Sequence, residues 1–308
     1  VNQFAIIFGM LVVYFVNYLI RMNLTGNIEV AMMEIGWRRM FLSEAFPAAT
    51  FGLLLLMVPK TPRYLVMSGS ETKALHVLTK INGVSVAKTI LEEIKETVVE
   101  KREKLFSYGV TVVIIGILLS FFQQAVGINV VLYYAPRIFE NLGASGDVSM
   151  RQTVVMGVVN IIFTLVAIFT VDKFGRKPLL VIGSIGMMVG MAALSVLSFM
   201  DVIGVAALVF IIIYTASFMM SWGPITWVLI SEIFPNTIRG QAVAIAVAAQ
   251  WISNFVVSST FPSLSEWSTG GAYLIYAVFS LLSAVFVLKM VPETKGKTLE
   301  DMSRLWRK

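Results

Sequence analysis

Side-chain amides fall in or at the start of long apolar stretches of this sequence, among them Gln3, Gln123, Gln124, Asn129, Asn160, Gln250 and Asn254. An amide both donates and accepts, and in hydrocarbon it needs a partner. Taken singly, each reads as glue between helices, worth about 0.6 kcal/mol. Taken together they suit a cavity whose ligand carries many hydroxyls. Gln123 and Asn129 are six residues apart, about 240° on a straight helix. Gly127 between them predicts an unwound point that lets both face one cavity. A second break is expected in Trp222-Gly223-Pro224-Ile225-Thr226-Trp227, because Pro224 removes a backbone donor. Trp227 and Trp251 add flat apolar faces beside the amides. Amides pair with hydroxyls and an indole packs on the C–H face of a ring, so the mixture suits a neutral polyhydroxylated ligand. No Asp, Glu, Lys, Arg or His stands in the middle of these stretches, so a charged ligand would find no counter-charge. A proton carrier is normally such a group, and it is therefore expected outside this chain. With no Cys and the single His76, expected at the surface, cysteine zinc sites, iron–sulfur clusters and disulfides are excluded. No nucleophile, acid–base pair or metal set is apparent, so neither an enzyme nor a cofactor is expected.

The elements that must position these groups follow from composition. The 308 residues are 57% hydrophobic and 14% charged, with mean hydropathy +0.83, against about 25% charge in soluble domains. A large soluble enzyme, a disordered chain and a nucleic-acid binder are disfavoured. Apolar stretches at 4–20, 40–58, 107–135, 151–171, 178–199, 204–230, 238–262 and 270–290 approach or reach the roughly 17–25 residues of a membrane span. Helices are the expected form, since barrel strands are short and alternate. Eight crossings put both termini on one side.

The loops say which side. Between 59 and 106 stand nine basic residues: Lys60, Arg63, Lys73, Lys80, Lys88, Lys95, Lys101, Arg102 and Lys104. Lys173, Arg176, Lys177, Arg239 and six basic residues from Lys289 onward share that face, giving nineteen. Arg21, Arg38, Arg39, Arg137 and Arg151 are the five on the other. The positive-inside rule then makes both termini cytoplasmic. Topology thereby accounts for the net charge of +6 without a nucleic-acid partner. Residues 64–104 are expected to form short amphipathic helices on that face.

Met57-Val58-Pro59-Lys60-Thr61 closes the second stretch and Met290-Val291-Pro292-Glu293-Thr294 closes the eighth. A signature repeated six spans apart predicts that spans three to eight form one complete half and that the first two close a preceding half. On that reading the domains are 1–58, a linker at 59–106, a six-helix half at 107–290 and a tail at 291–308, with four further spans expected ahead of Val1. Asp172-Lys173-Phe174-Gly175-Arg176-Lys177-Pro178 and Ser231-Glu232-Ile233-Phe234-Pro235-Asn236-Thr237-Ile238-Arg239-Gly240 join neighbouring spans on the basic face. Asp172 can pair with Arg176, and Glu232 with Arg176 or Arg239. Such pairs read either as a latch or as surface bridges worth about 0–1 kcal/mol each. Gly186 and Gly190 form a GxxxG pattern expected to pack helices closely.

These residues resemble the sugar porter family of the major facilitator superfamily. The likeness is carried by Gln123-Gln124-x-x-Gly127-x-Asn129, Gly223-Pro224-x-x-Trp227, Pro59-x-x-Pro62-Arg63, the Asp172 to Arg176 turn and Pro292-Glu293-Thr294-Lys295-Gly296. Val130-Val131-Leu132-Tyr133-Tyr134-Ala135-Pro136 and Ala248-Ala249-Gln250-Trp251 extend it. The resemblance implies an all-α major facilitator fold, here in part. It implies transport of a monosaccharide, D-xylose or a related pentose or hexose, by alternating access as a proton symporter. A uniporter and a non-transporting sugar receptor are the alternatives. The implied sugar contacts are Gln3, Gln123, Gln124, Asn129, Asn160, Trp227, Gln250 and Trp251, with Tyr133 and Asn254 near the extracellular gate. Arg63, Asp172, Arg176, Glu232, Arg239 and Glu293 are the implied cytoplasmic charge network. The implied setting is a bacterial inner membrane and a monomer, with sugar, protons and lipid as partners. Met10 stands where a relative carries a glutamine, removing one pocket hydrogen bond. Lys60 replaces a glutamate, which reverses a charge near the latch, and Tyr64 replaces a tryptophan.

Overall fold

The structure, a computed structural model, describes residues 2–99, 104–141, 145–200, 205–297 and 299–306. Lys101, Arg102, Arg307 and Lys308, four of the basic residues counted above, lie outside them, as does Val1. All regular secondary structure among the described residues is helical. The chain divides into two compact units, Val1–Met22 with Lys104–Lys308, and Asn23–Glu103. These limits fall elsewhere than the sequence boundaries at 58, 106 and 290, because the first apolar helix, α1 (Asn2–Met22), packs into the larger unit against a helix far along the chain.

The smaller unit holds α2 (Ile28–Ala31), a π-helical turn (Met32–Gly36), α3 (Trp37–Leu55), α4 (Pro62–Met67), α5 (Glu71–Asn82) and α6 (Val84–Val99). Thr61 caps α4 by accepting from the Tyr64 N–H, and Pro62 opens the helix, where its missing donor has no intrahelical partner to lose. Leu65, Ala74, Leu78, Ala87 and Leu91 bury together. The expected amphipathic helices of 64–104 are thus α4 to α6, folded on a core of their own.

The larger unit continues with α7 (Val110–Ala125), α8 (Ile128–Tyr133), α9 (Ala135–Asn141), α10 (Gly146–Phe174), α11 (Arg176–Phe199), α12 (Val205–Met219), α13 (Trp222–Ile233), α14 (Asn236–Trp267), α15 (Thr269–Met290) and α16 (Leu299–Trp306). Here α1 packs on α10, α7 on α14, and α11 on both α12 and α15. Small residues set that closeness. A Cβ at Gly190 would lie 2.9 Å from the Tyr214 Cβ, and Ser184 Oγ meets Ser283 Oγ at 2.8 Å between α11 and α15. The Trp222 indole is fully buried and donates to Ser184 Oγ at 2.8 Å.

Seven segments of the described residues are long and apolar enough to cross a membrane: Gln3–Met22, Val110–Tyr133, Val148–Phe174, Arg176–Phe199, Val205–Ile233, Asn236–Trp267 and Thr269–Met290. That is one fewer than the sequence predicts. The stretch at 40–58 is helical as α3, but Arg38, Arg39 and Glu44 crowd its first turns. With three charges in its nineteen residues, α3 falls outside these seven.

Candidate functional site

Two helix breaks organise the larger unit. Val110–Tyr133 is interrupted at Gly127, which sits in the left-handed region at φ +90°. A side chain there would be strained, and its Cβ would also fall 2.8 Å from the Tyr276 ring. The Val126 carbonyl beside the break accepts the Tyr214 hydroxyl at 2.8 Å. The second break lies at Met220–Ser221 rather than at Pro224. Pro224 occupies the first turn of α13, where backbone N–H groups have no intrahelical acceptor, so the ring is accommodated without a kink of its own.

Between the breaks the amides form one chain. Gln250 Nε2 donates to Gln123 Oε1, and Gln124 Nε2 donates to the same oxygen at 3.2 Å. Gln123 Nε2 donates to the Trp222 carbonyl at 3.3 Å, tying α7 to α13. Asn129 Nδ2 reaches Gln124 Oε1 at 2.6 Å and Asn254 Oδ1 at 2.9 Å, and Ser258 Oγ donates to Asn254 Oδ1 at 3.1 Å. Gln250 Oε1 is buried with no partner, an acceptor left open for a ligand hydroxyl or a water.

This chain lines a cavity of about 160 Å³, smaller than the roughly 300–1,000 Å³ of drug-sized sites and suited to one small molecule. Gln3, Gln123, Gln124, Asn129, Trp227, Gln250 and Trp251 all border it, as do Tyr133 and Asn254. Among the described residues, no Asp, Glu, Lys, Arg or His does. Asn160 is not among the lining residues. It is buried in α10, its Oδ1 unpartnered, on a helix packed by α1 and α12. Sequence reasoning missed the apolar wall of Ile6, Ile7, Phe218 and Met219. For Ile7 the signal was available, because Gln3, Ile7 and Met10 recur at helical spacing on one face of α1. A second cavity of about 280 Å³ shares Gln3 and Trp227 with the first and extends to Asp172 at the end of α10.

The charged residues gather at that end. Arg176 forks onto Glu232, with Nε to Oε2 at 3.2 Å and Nη2 to Oε1 at 2.9 Å, and its Nη1 meets Asp172 at 3.0 Å. Thr294 Oγ1 donates to Glu232 at 2.6 Å. Arg239 donates twice to the Phe234 carbonyl at 3.3 Å, so of the two partners foreseen for Glu232 the geometry gives Arg176. Glu293 has a role that the sequence did not disclose. Its carboxylate accepts the backbone N–H groups of Arg176 (3.1 Å) and Lys177 (3.0 Å) at the start of α11, and of Thr294 (3.0 Å) and Lys295 (2.9 Å). Burial pushes this carboxyl up, but the backbone donors outweigh it and hold the group below its ordinary value. Arg63 lies on α4 of the smaller unit.

Comparison with known proteins places the chain. A family model described as "Sugar (and other) transporter" matches residues 1–306. The chain is 50% identical to the D-xylose-proton symporter of Escherichia coli (strain K12), an alignment covering 99% of this chain and 64% of that protein. It is 40% identical to the glucose facilitated diffusion protein of Zymomonas mobilis, over 99% of this chain and 66% of the relative. Among solved structures, the proton:xylose symporter XylE bound to 6-bromo-6-deoxy-D-glucose superposes with a TM-score of 0.83 at 50% identity, covering 99% of this chain and 66% of that one. The inward open form of the Escherichia coli xylose transporter gives 0.85 at 48%, over 99% and 64%. The chain thus spans about two thirds of the length of the relatives it matches. Its fold is that of the major facilitator superfamily, in part, and it is an integral membrane protein.

Proposed function

The chain belongs to the sugar transporter family, and from that premise we propose that it carries a neutral monosaccharide, D-xylose or a related pentose or hexose, across a bacterial inner membrane by alternating access with protons as the coupled ion. The observation that carries this reading is the amide chain from Gln250 through Gln123, Gln124 and Asn129 to Asn254, around a cavity bordered by no acid, Lys, Arg or His. A sugar exchanges its hydration for these donors and acceptors, so discrimination rests on leaving none of them unpaired. Trp227 and Trp251 supply apolar faces for the ring. Asn160, buried and not among the cavity-lining residues, acts as a packing residue. Tyr133, half exposed, and Asn254 border the outer mouth.

The basic face is cytoplasmic, with both termini on it, and α3 serves as the eighth crossing. Arg176, Asp172, Glu232 and Glu293 latch that face closed when the cavity opens outward. Arg63 and Arg239 contribute positive charge there. Among the described residues that border the cavity there is no carboxylate to take up a proton, and coupling is assigned away from the cavity.

Labelled D-xylose counterflow into proteoliposomes containing the transporter tests this reading. Entry of label driven by an outward gradient of unlabelled xylose supports it. Failure of xylose, glucose and arabinose alike to drive entry, with the protein folded, contradicts it.

A further inference from the structure

We propose that the groove between α4 and α5 of the smaller unit holds the phosphate headgroup of one anionic phospholipid. The groove measures about 490 Å³ and is bordered by Lys60, Lys73 and His76, with Pro59, Leu65 and Val77 as its apolar wall. Among the described residues none of the three basic groups is paired with a carboxylate. The neighbouring acid, Glu71, is bound by Lys95 Nζ at 2.7 Å, which leaves the groove without a counter-charge of its own. Lys60 is steadied by its ammonium lying 5.3 Å from the centre of the Tyr64 ring. Over residues 59–95 six Lys or Arg face three Glu.

Two features favour a lipid over a soluble anion. The groove wall is largely apolar. The chain also enters the groove directly from Leu56, Met57 and Val58, which are 84%, 80% and 65% exposed at the end of α3. Apolar side chains that run into a basic pocket match the boundary between acyl chains and headgroups, where clustered Lys and Arg recognise anionic lipids. The sequence itself marks the position, because Lys60 stands where the family resemblance carries a glutamate that would repel phosphate. The inference rests on the orientation given above, in which this unit faces the cytoplasmic leaflet.

The test is lipid retention by the purified protein in native mass spectrometry, after exchange into micelles containing phosphatidylglycerol or phosphatidylcholine. Wild type should retain phosphatidylglycerol in preference to phosphatidylcholine. The Lys60→Gln, Lys73→Gln double variant should hold it roughly thirtyfold more weakly. His76→Gln alone, a single exposed change, should weaken it less. D-xylose titration of the same samples reports separately on the transport reading and should be unchanged by these variants. Equal phosphatidylglycerol retention by wild type and double variant would overturn the proposal. So would displacement of the lipid by millimolar inorganic phosphate, which would mark a soluble-anion site. Loss of xylose binding with lipid selectivity intact would count against the transport reading and leave this one standing.

Discussion

Asn129 Nδ2 lies 2.9 Å from Asn254 Oδ1, joining α8, just past the break at Gly127, to the middle of α14. Gly127, in the left-handed region, turns the chain just ahead of Asn129, whose amide then meets Asn254 on the neighbouring helix. The same turn lets Gln124 and Asn129 meet at 2.6 Å. The contacts of Asn129 with Gln124 and with Asn254 therefore depend on one backbone position.

Gly127→Ala should destabilise the protein by about 1–3 kcal/mol, with the Tyr276 ring adding to the cost. Thermal unfolding of the purified variant measures it. An unchanged melting temperature would show that the break is not held by the glycine.

Gln123→Ala removes the acceptor shared by Gln124 and Gln250 and leaves a desolvated hydroxyl on the sugar. The loss should be about 1–3 kcal/mol, a roughly ten- to hundredfold weaker affinity by calorimetric titration. Unchanged binding would make Gln123 glue between α7 and α13.

Trp227 borders both cavities. Trp227→Phe should keep much of the affinity and Trp227→Ala should lose most of it. Wild-type binding by both variants would reduce the indole to packing.

Neutralising the fork by Arg176→Gln or Glu232→Gln should shift the population toward the inward-open state and slow net transport while sugar still binds. A spectroscopic distance between labels across the charged face reads the shift, and an unaltered distribution would refute the latch.

Glu293 gives a pH signature. Its folded-state carboxyl lies below the ordinary value of 4.5. Its contribution to stability is therefore present above that value and is lost as pH falls through the lowered one. Wild type should lose thermal stability more steeply on acidification below about pH 4.5 than Glu293→Gln. Parallel curves would mean that the carboxylate charge is not what caps α11.

Much of this was readable from spacing. Length and apolarity located seven helices, Gly127 marked the break, and amides in hydrocarbon marked the cavity. What the sequence left hidden depended on tertiary geometry. Pro224 was expected to break its helix, but a proline in a first turn has no hydrogen bond to lose, and the break fell at Ser221. Asn160 shares the chemistry of the other amides, yet it is not among the residues lining either cavity. Arg239 and Arg176 were equal candidates for Glu232 until the turn at Gly175 brought Arg176 close. Glu293 reaches Arg176 across 117 positions, a cap that no local pattern encodes.

The central claim is that an uncharged amide cavity binds a neutral sugar. Calorimetric titration of D-xylose beside D-xylonate, the open-chain carboxylate of the same carbon skeleton, tests it most directly. The account predicts that xylose binds and that xylonate does not, because no cation borders the cavity. Xylonate binding as tightly as xylose would contradict it.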